Sequence, residues 1–245
     1  MTLSIVLPYY RNPGMLLRHF EEWGTYPVDL LDQVEVVIVD DGSPTDEAAT
    51  AVDLPREVAL PPMRIYRVLD DRPWHQHGAR NLGAHQATGA WLYLGDMDHV
   101  IPAESLQAML RLCNYEAIYT FGRVDAPDMR PTMKNGVLKP HPNTFLMPRS
   151  AFWRIGGYDE DLTGYGTDSF FRARLGDAGL PIVHRADIRI VRYPREVIAD
   201  ASTRTLPRKE GRPENHRAQL RALAEHKRRV GLRPTVLAFP WERVR

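Results

Sequence analysis

Ala90-Trp91-Leu92-Tyr93-Leu94-Gly95-Asp96-Met97-Asp98-His99 is the stretch on which the reading of this chain turns. Ala90 to Leu94 is apolar and aromatic and reads as a buried strand. Two carboxylates follow at i and i+2, where that strand should end. In extended backbone such alternate side chains point the same way, about 6.5–7 Å apart. Paired carboxylates at a strand's exit repel each other unless a cation lies near them. Oxygen ligands of this kind suit Mg2+ or Mn2+, ions that often complete their shells with substrate phosphates. Taken alone the pair also suits a solvated loop, so the surrounding chain has to decide.

Upstream, strand and helix patterns alternate. Leu3 to Leu7 is a short strand ended by Pro8, and Met15 to Trp23 has helical spacing. Val34 to Val39 is a nearly continuous apolar strand, ending in Asp40-Asp41-Gly42-Ser43-Pro44. Ser43 or Thr45 can cap a following helix. Met63 to Leu69 reads as a third strand and Ala79 to Ala87 as a helix closed by Gly89. This alternation predicts right-handed βαβ units and an open, Rossmann-like, mostly parallel α/β sheet flanked by helices. Ligands of such sheets sit at the carboxyl ends of the strands, where Tyr10, Asp41 and Asp96 all fall. No GxGxxG or P-loop pattern is present, which argues against a dinucleotide or P-loop site.

Downstream, Pro102 to Leu112 reads as a helix and Ala117 to Phe121 as a strand. Residues 125–143 are Pro-rich and polar, a long loop of the kind that is often functional. Thr144 to Met147 is a short strand, Arg149 to Ile155 a short helix, Gly156 to Asp161 a turn, Ser169 to Ala178 a helix and Pro181 to Val191 a strand. Val236 to Phe239 is a small apolar anchor.

With 245 residues, 43% hydrophobic and 26% charged, the chain can bury a sizeable core. A net charge of +1 gives no reason to expect nucleic acid. Residues 204–233 carry ten Lys/Arg against three Glu, leaving the remainder net acidic. The organisation expected is a domain over 1–200 and a basic extension or lid over 201–245 packed on it. Cys113 is the single cysteine, so no internal disulfide forms. Without an 18-residue apolar run or a basic leader, the expectation is a cytoplasmic protein with no transmembrane span.

Five segments then carry a resemblance: Ser4-Ile-Val-Leu-Pro-Tyr-Tyr10, Val37-Ile-Val-Asp-Asp-Gly-Ser43, Gly78-Ala-Arg-Asn-Leu-Gly83, Gly95-Asp-Met-Asp98, and Gly156-Gly-Tyr-Asp-Glu160 with Gly166-Thr-Asp168. In this order they resemble GT-A fold glycosyltransferases, most closely glycosyltransferase family 2. The last segment is also similar to the C-terminal part of the β-1,4-galactosyltransferases. The resemblance implies an inverting glycosyltransferase using a UDP-sugar and a divalent metal, Mn2+ or Mg2+. It makes Pro8 and Tyr10 the first-strand edge of the nucleotide pocket and Asp41 an acceptor of a hydrogen bond from the base. It sets Arg80 towards the diphosphate, Asp96 towards the ribose or the metal, and Asp98 on the metal. Asp168 matches the general base for the acceptor hydroxyl. Other readings of the same residues are turn chemistry for Asp41, a solvated charge for Arg80 and a helix cap for Asp168.

Two departures bear on specificity. Thr167 stands where the family usually has Glu before the base. Tyr193 stands where the galactosyltransferases have a metal-binding His, with His184 or His216 as substitutes. Trp74 is a candidate for stacking on a ligand. The segment 204–233 suits either a lid over the diphosphate or a patch for an anionic acceptor or membrane surface. The acceptor expected is a glycan, a lipid-linked saccharide or a protein. Alternatives are a non-catalytic nucleotide-sugar-binding scaffold of the same fold, or a nucleotidyltransferase.

Overall fold

The computed structural model describes residues 2–70, 72, 75–161, 168–201, 222, 225 and 237–245. In chain order the strands and α-helices are β1 (Leu3–Tyr9), α1 (Pro13–Trp23), α2 (Val28–Leu31), β2 (Val34–Asp40), β3 (Met63–Val68), α3 (Gln76–Gln86), β4 (Trp91–Leu94) and β5 (His99–Val100). There follow α4 (Ala103–Leu112), β6 (Ile118–Asp125), β7 (Arg130–Pro131), β8 (Met133–Lys134), β9 (Val137–Leu138), β10 (Phe145–Pro148), α5 (Arg149–Arg154), α6 (Asp168–Arg174), β11 (Ile182–Arg192) and β12 (Trp241–Arg243).

The main sheet runs β12-β3-β2-β1-β4-β10-β6-β11-β5. The block β3-β2-β1-β4 is parallel, and so is the pair β6–β11. β10 is antiparallel to both its neighbours, and β12 and β5 pair antiparallel at the two ends. The strands alternate between two cores. Leu3, Ile5 and Leu7 of β1, with Trp91 and Tyr93 of β4, pack with Phe20 and Trp23 of α1 and Leu106 of α4. Val6, Leu92 and Leu94 face Leu82 of α3, Phe152 of α5 and Phe171 of α6. A period of two with both faces apolar is what a covered central strand requires.

Several expectations are corrected. Pro8 lies inside β1 rather than ending it. The Val6 carbonyl accepts from Gly95 at 3.2 Å, so Pro8, two residues on, turns its missing N–H to the same side, beyond the end of β4. In place of the helix after Ser43 there are two 3-10 turns, Thr45–Glu47 and Ala49–Ala51. The buried Asp40 carboxylate accepts the Ser43 and Ala49 N–H groups at 2.9 and 2.8 Å and curls the chain around itself. Ser43 caps nothing, and its hydroxyl accepts the Arg11 N–H at 3.0 Å. The long loop 125–143 carries β7 and the small hairpin β8–β9.

At the C-terminal end, β12 adds to β3, and Phe239 sets its ring edge-on to His75 with centroids 4.6 Å apart. Trp74, Thr167, His216 and most of the basic segment 204–233 lie outside the described residues. Among the described residues no helix is long and apolar enough to cross a membrane.

Candidate active site

The parallel strands deliver polar residues to one edge. Tyr10 follows β1, Asp41 follows β2, and the Asp41 N–H donates to the Tyr9 carbonyl at 2.8 Å. The half-buried Tyr10 donates its N–H to Asn12 Oδ1 at 3.2 Å. Pro8 is buried just inside this edge. Asp41 is buried, with His75 Nδ1 3.7 Å from its Oδ1. Burial lowers the pKa of His75 to about 4, so this histidine is neutral at physiological pH.

Asp96, next along the edge, is held by three donors converging on Oδ1: Gln76 Nε2 at 2.7 Å, Asn143 Nδ2 at 3.3 Å and the Arg80 guanidinium. Its Oδ2 lies 3.5 Å from His141 Nε2. Arg80 is 0% exposed. It also donates to the carbonyls of Gly95 at 2.9 Å and Asn143 at 3.1 Å, and to the Tyr158 hydroxyl at 3.2 Å. The expectation that Arg80 faces the diphosphate is therefore corrected. The guanidinium lies behind Asp96 and ties together the loops that carry Asp96, Asn143 and Tyr158.

The expectation that Asp96 and Asp98 project together also fails, because the backbone is not extended there. The His99 N–H returns to the Asp96 carbonyl at 3.1 Å, closing a turn. Buried His19 of α1 contacts the Met97 carbonyl through Nε2 at 2.9 Å and fixes that turn from below. Asp98 is sent to His99, with Oδ1 2.7 Å from Nδ1. Its carboxyl is largely enclosed, although about a fifth of the side chain stays open (22%), and enclosure raises its pKa to about 6.

Asp96, His99 and His141 form the group with metal-ligating geometry, each offering one ligand atom within 4.8 Å of the others. The two imidazoles lie 4.1 Å apart, and burial lowers both pKa values to about 3, so both are neutral ligands at physiological pH. Asp98 anchors Nδ1 of His99, and the Thr144 hydroxyl lies 3.1 Å from Nδ1 of His141. His99 Nε2 is buried without a hydrogen-bond partner among the described residues. An oriented imidazole with its outer nitrogen unused is what a divalent cation needs. His184 is not part of this group: its ring nitrogens meet Thr120 Oγ1 at 3.0 Å and the Leu138 carbonyl at 2.6 Å. Tyr193 is engaged too, accepting from Arg18 Nε at 2.6 Å.

Asp168 opens α6, near enough for its charge to act on Arg80 and Tyr158, although burial is the largest influence on both groups and Asp168 a minor one. Its helix is set by the turn before it. Gly156 and Gly157 take φ of 77° and 64°, a region glycine enters without strain. Asn81 clamps the turn, donating to the Tyr158 carbonyl at 2.7 Å and accepting its N–H at 2.8 Å. Tyr158 then stacks on Phe171 of α6, with centroids 4.0 Å apart. Gln76, His99, His141, Asn143 and Tyr158 are site residues that sequence reasoning missed. Their signals were the position of His99 beside Asp98, the polar character of the loop holding His141 and Asn143, and the place of Tyr158 in the segment 156–160.

Comparison with known proteins gives this edge a lineage. The structure is similar to TarS of S. aureus residues 1–349, with TM-score 0.65 and 17% identity over 94% of this chain and 72% of that one. The same protein solved with UDP-GlcNAc matches with TM-score 0.64 and 16% identity, over 95% and 74% of the two chains. GalNAc-T7, solved with UDP, GalNAc and Mn2+, matches with TM-score 0.62 and 14% identity over 79% of this chain and 44% of that one. At these identities the likeness establishes a shared GT-A fold. No curated protein sequence matches the chain significantly. The profile described as Glycosyl transferase family 2 matches residues 4–171, which is more than half of the chain. A GT-A sheet whose parallel strands lead into Asp41 and Asp96 thus comes from a chain that belongs to glycosyl transferase family 2 and is a glycosyltransferase.

Proposed function

We propose that this glycosyltransferase moves a sugar from a UDP-sugar to an acceptor hydroxyl, with inversion and with a divalent metal. The observation that carries the reading is the convergence of Asp96, His99 and His141. The UDP-GlcNAc bound to TarS and the UDP and Mn2+ bound to GalNAc-T7 support the same donor class and cofactor.

In this reading Tyr10 and Asp41 bind the nucleoside, the tyrosine ring stacking on the base and the carboxylate accepting its N–H. Asp96, His99 and His141 hold the cation, which when bound neutralises charge on the departing diphosphate. Arg80, Gln76 and Asn143 keep Asp96 Oδ2 turned towards the two imidazoles. Asp168 takes the proton from the attacking hydroxyl. A base separate from the groups that stabilise the leaving diphosphate makes the displacement in-line, so the anomeric carbon inverts.

Two measurements test this. Titration of UDP, GDP and CDP with Mn2+ and with EDTA should show metal-dependent binding that favours UDP; indifference to both nucleotide and metal would refute the assignment. Asp168→Asn should lower turnover by about 10²–10⁴-fold with UDP affinity unchanged. Turnover at the wild-type rate would remove Asp168 from the base role.

A further inference from the structure

Two arginines at the carboxyl edge have no part in the mechanism above. Arg123 and Asp125 lie two residues apart on β6. Arg192 of β11 pairs in register with Asp125, and His99 of β5 pairs with Arg192. Strand alternation and cross-strand register put all four side chains on one face. Arg192 donates to Asp125 Oδ2 at 3.0 Å. Arg123 donates to Thr132 Oγ1 at 3.1 Å, and its Nε lies 3.6 Å from Asp125 Oδ1.

Among the described residues, most of the donors on these two guanidinium groups have no protein acceptor. Each carries five N–H donors, yet Nε of both lacks a hydrogen bond among the described residues. Arg80, whose Nε is likewise unpaired among these residues, is the contrast in its terminal nitrogens, which meet four protein oxygens. The side chains of Arg123 and Arg192 are 16% and 33% exposed, so they are not sealed in. Two cations share the Asp125 carboxylate, with the Asp98 carboxyl, held at His99 Nδ1, as a further and weaker electrostatic partner of Arg123. Burial and the charge of Arg192 both lower the pKa of Arg123. An added oxyanion relieves such a like-charge pair and offers bidentate partners to both planar groups.

Position selects the source of that anion. Across the sheet, Asp41 follows β2, Tyr10 follows β1 and Asp96 follows β4; the arginines stand at β6 and β11, further along. A nucleoside at the β1–β2 end with its diphosphate at Asp96 and His141 leaves the arginine pair beside His99, on the side of Asp96 away from Tyr10 and Asp41. We propose that Arg123 and Arg192 form an anion subsite that receives a phosphate or carboxylate group carried by the acceptor. The proposal rests on the glycosyl-transfer reading and narrows its acceptor to an anionic one.

The test uses the full chain preloaded with UDP and Mg2+, titrated calorimetrically with inorganic phosphate and, separately, with glucuronate. At least one anion should bind saturably. Arg123→Gln and Arg192→Gln should each weaken that binding on the order of tenfold, Arg192→Lys should weaken it less, and UDP affinity should stay the same. The wild-type titration is decisive without any variant: binding of neither anion up to millimolar concentration overturns the proposal. Anion binding unchanged in both glutamine variants overturns it as well. If UDP instead abolishes phosphate binding, and the variants lose UDP but keep uridine affinity, the pair serves the donor diphosphate and the proposal falls. Failure of the wild type to bind UDP is a separate result, which refutes the glycosyl-transfer reading and the proposal together.

Discussion

Asp98 is where the Asp-x-Asp pattern and the tertiary structure make different predictions. If Asp98 binds the ion directly, Asp98→Ala should be as damaging as Asp96→Ala. The structure instead has Asp98 Oδ1 2.7 Å from His99 Nδ1, across the ring from Nε2, which is buried and without a hydrogen-bond partner among the described residues. Asp98 then acts by fixing the tautomer and orientation of His99. Loss of such an orienting partner weakens metal binding by about 10–100-fold, or about 1.4–2.8 kcal/mol at 1.4 kcal/mol per decade. Asp98→Asn retains an oxygen at Nδ1 and should fall short of that loss, whereas Asp98→Ala should reach it. His99→Ala and His141→Ala remove ligands and should cost more than either. The assay is electron paramagnetic resonance of free Mn2+ in the presence of UDP near neutral pH. Abolition of Mn2+ binding in both Asp98 variants, with His99→Ala within twofold of wild type, would refute the reasoning.

Other consequences are equally open to measurement. Buried His19, His75 and His77 have pKa values lowered to about 4, 4 and 3 from the ordinary 6.5, burial being the main cause in each. As pH falls below about 6.5 the unfolded chain therefore takes up protons before the folded one. Stability should decline towards the folded values by up to about 1.4 kcal/mol per pH unit for each histidine. Denaturant unfolding of His77→Gln should show a shallower slope by about one proton over that window, and an unchanged slope would remove His77 from the account. Glu35 lies buried at the opposite end of β2, accepting from the Ser4 hydroxyl at 2.5 Å, the Thr88 N–H at 2.6 Å and Arg64 at 2.5 Å. Glu35→Ala should cost about 3 kcal/mol in urea unfolding with UDP affinity unaltered; a weakened UDP affinity would contradict a purely structural role. A Cβ at Gly157 would combine a φ of +64° with a 2.7 Å approach to Asn81 Oδ1, whereas one at Gly136, φ +75°, meets nothing within 4 Å. Both alanine variants should lose about 1–2 kcal/mol for the left-handed backbone, and Gly157→Ala should lose more; equal losses would show that the Asn81 contact is yielding.

Much of this molecule was legible along the chain because its signals are local. Apolar runs starting at residues 3, 34, 63 and 91 mark β1, β2, β3 and β4 whatever else surrounds them, and a strand's end fixes where Tyr10, Asp41 and Asp96 emerge. The expected helices α1, α4 and α5 appear within a residue or two of their periodicity, whereas α6 stops at Arg174 and the chain goes on to Ala178 as a 3-10 turn. β12 was not legible, since Trp241–Arg243 is three residues long and takes its strand character from pairing with β3. The helix expected after Ser43 was displaced by Asp40, whose buried carboxylate competes for the backbone N–H groups.

By itself the sequence determined the βαβ alternation, the edge at which Tyr10, Asp41 and Asp96 emerge and the family, because hydrophobic period and short motifs are properties of neighbouring residues. Tertiary structure alone decided which groups meet at that edge. His141 comes from a loop over forty residues beyond Asp96, Gln76 from the start of a different helix, and Asp98 turns away because one hydrogen bond from His99 to Asp96 closes the chain into a turn. Arg80 resembles a phosphate-binding cation in sequence and is enclosed by four oxygens from the protein in space. Metal-ligating geometry and desolvation depend on where distant segments pack, and no local pattern carries that information.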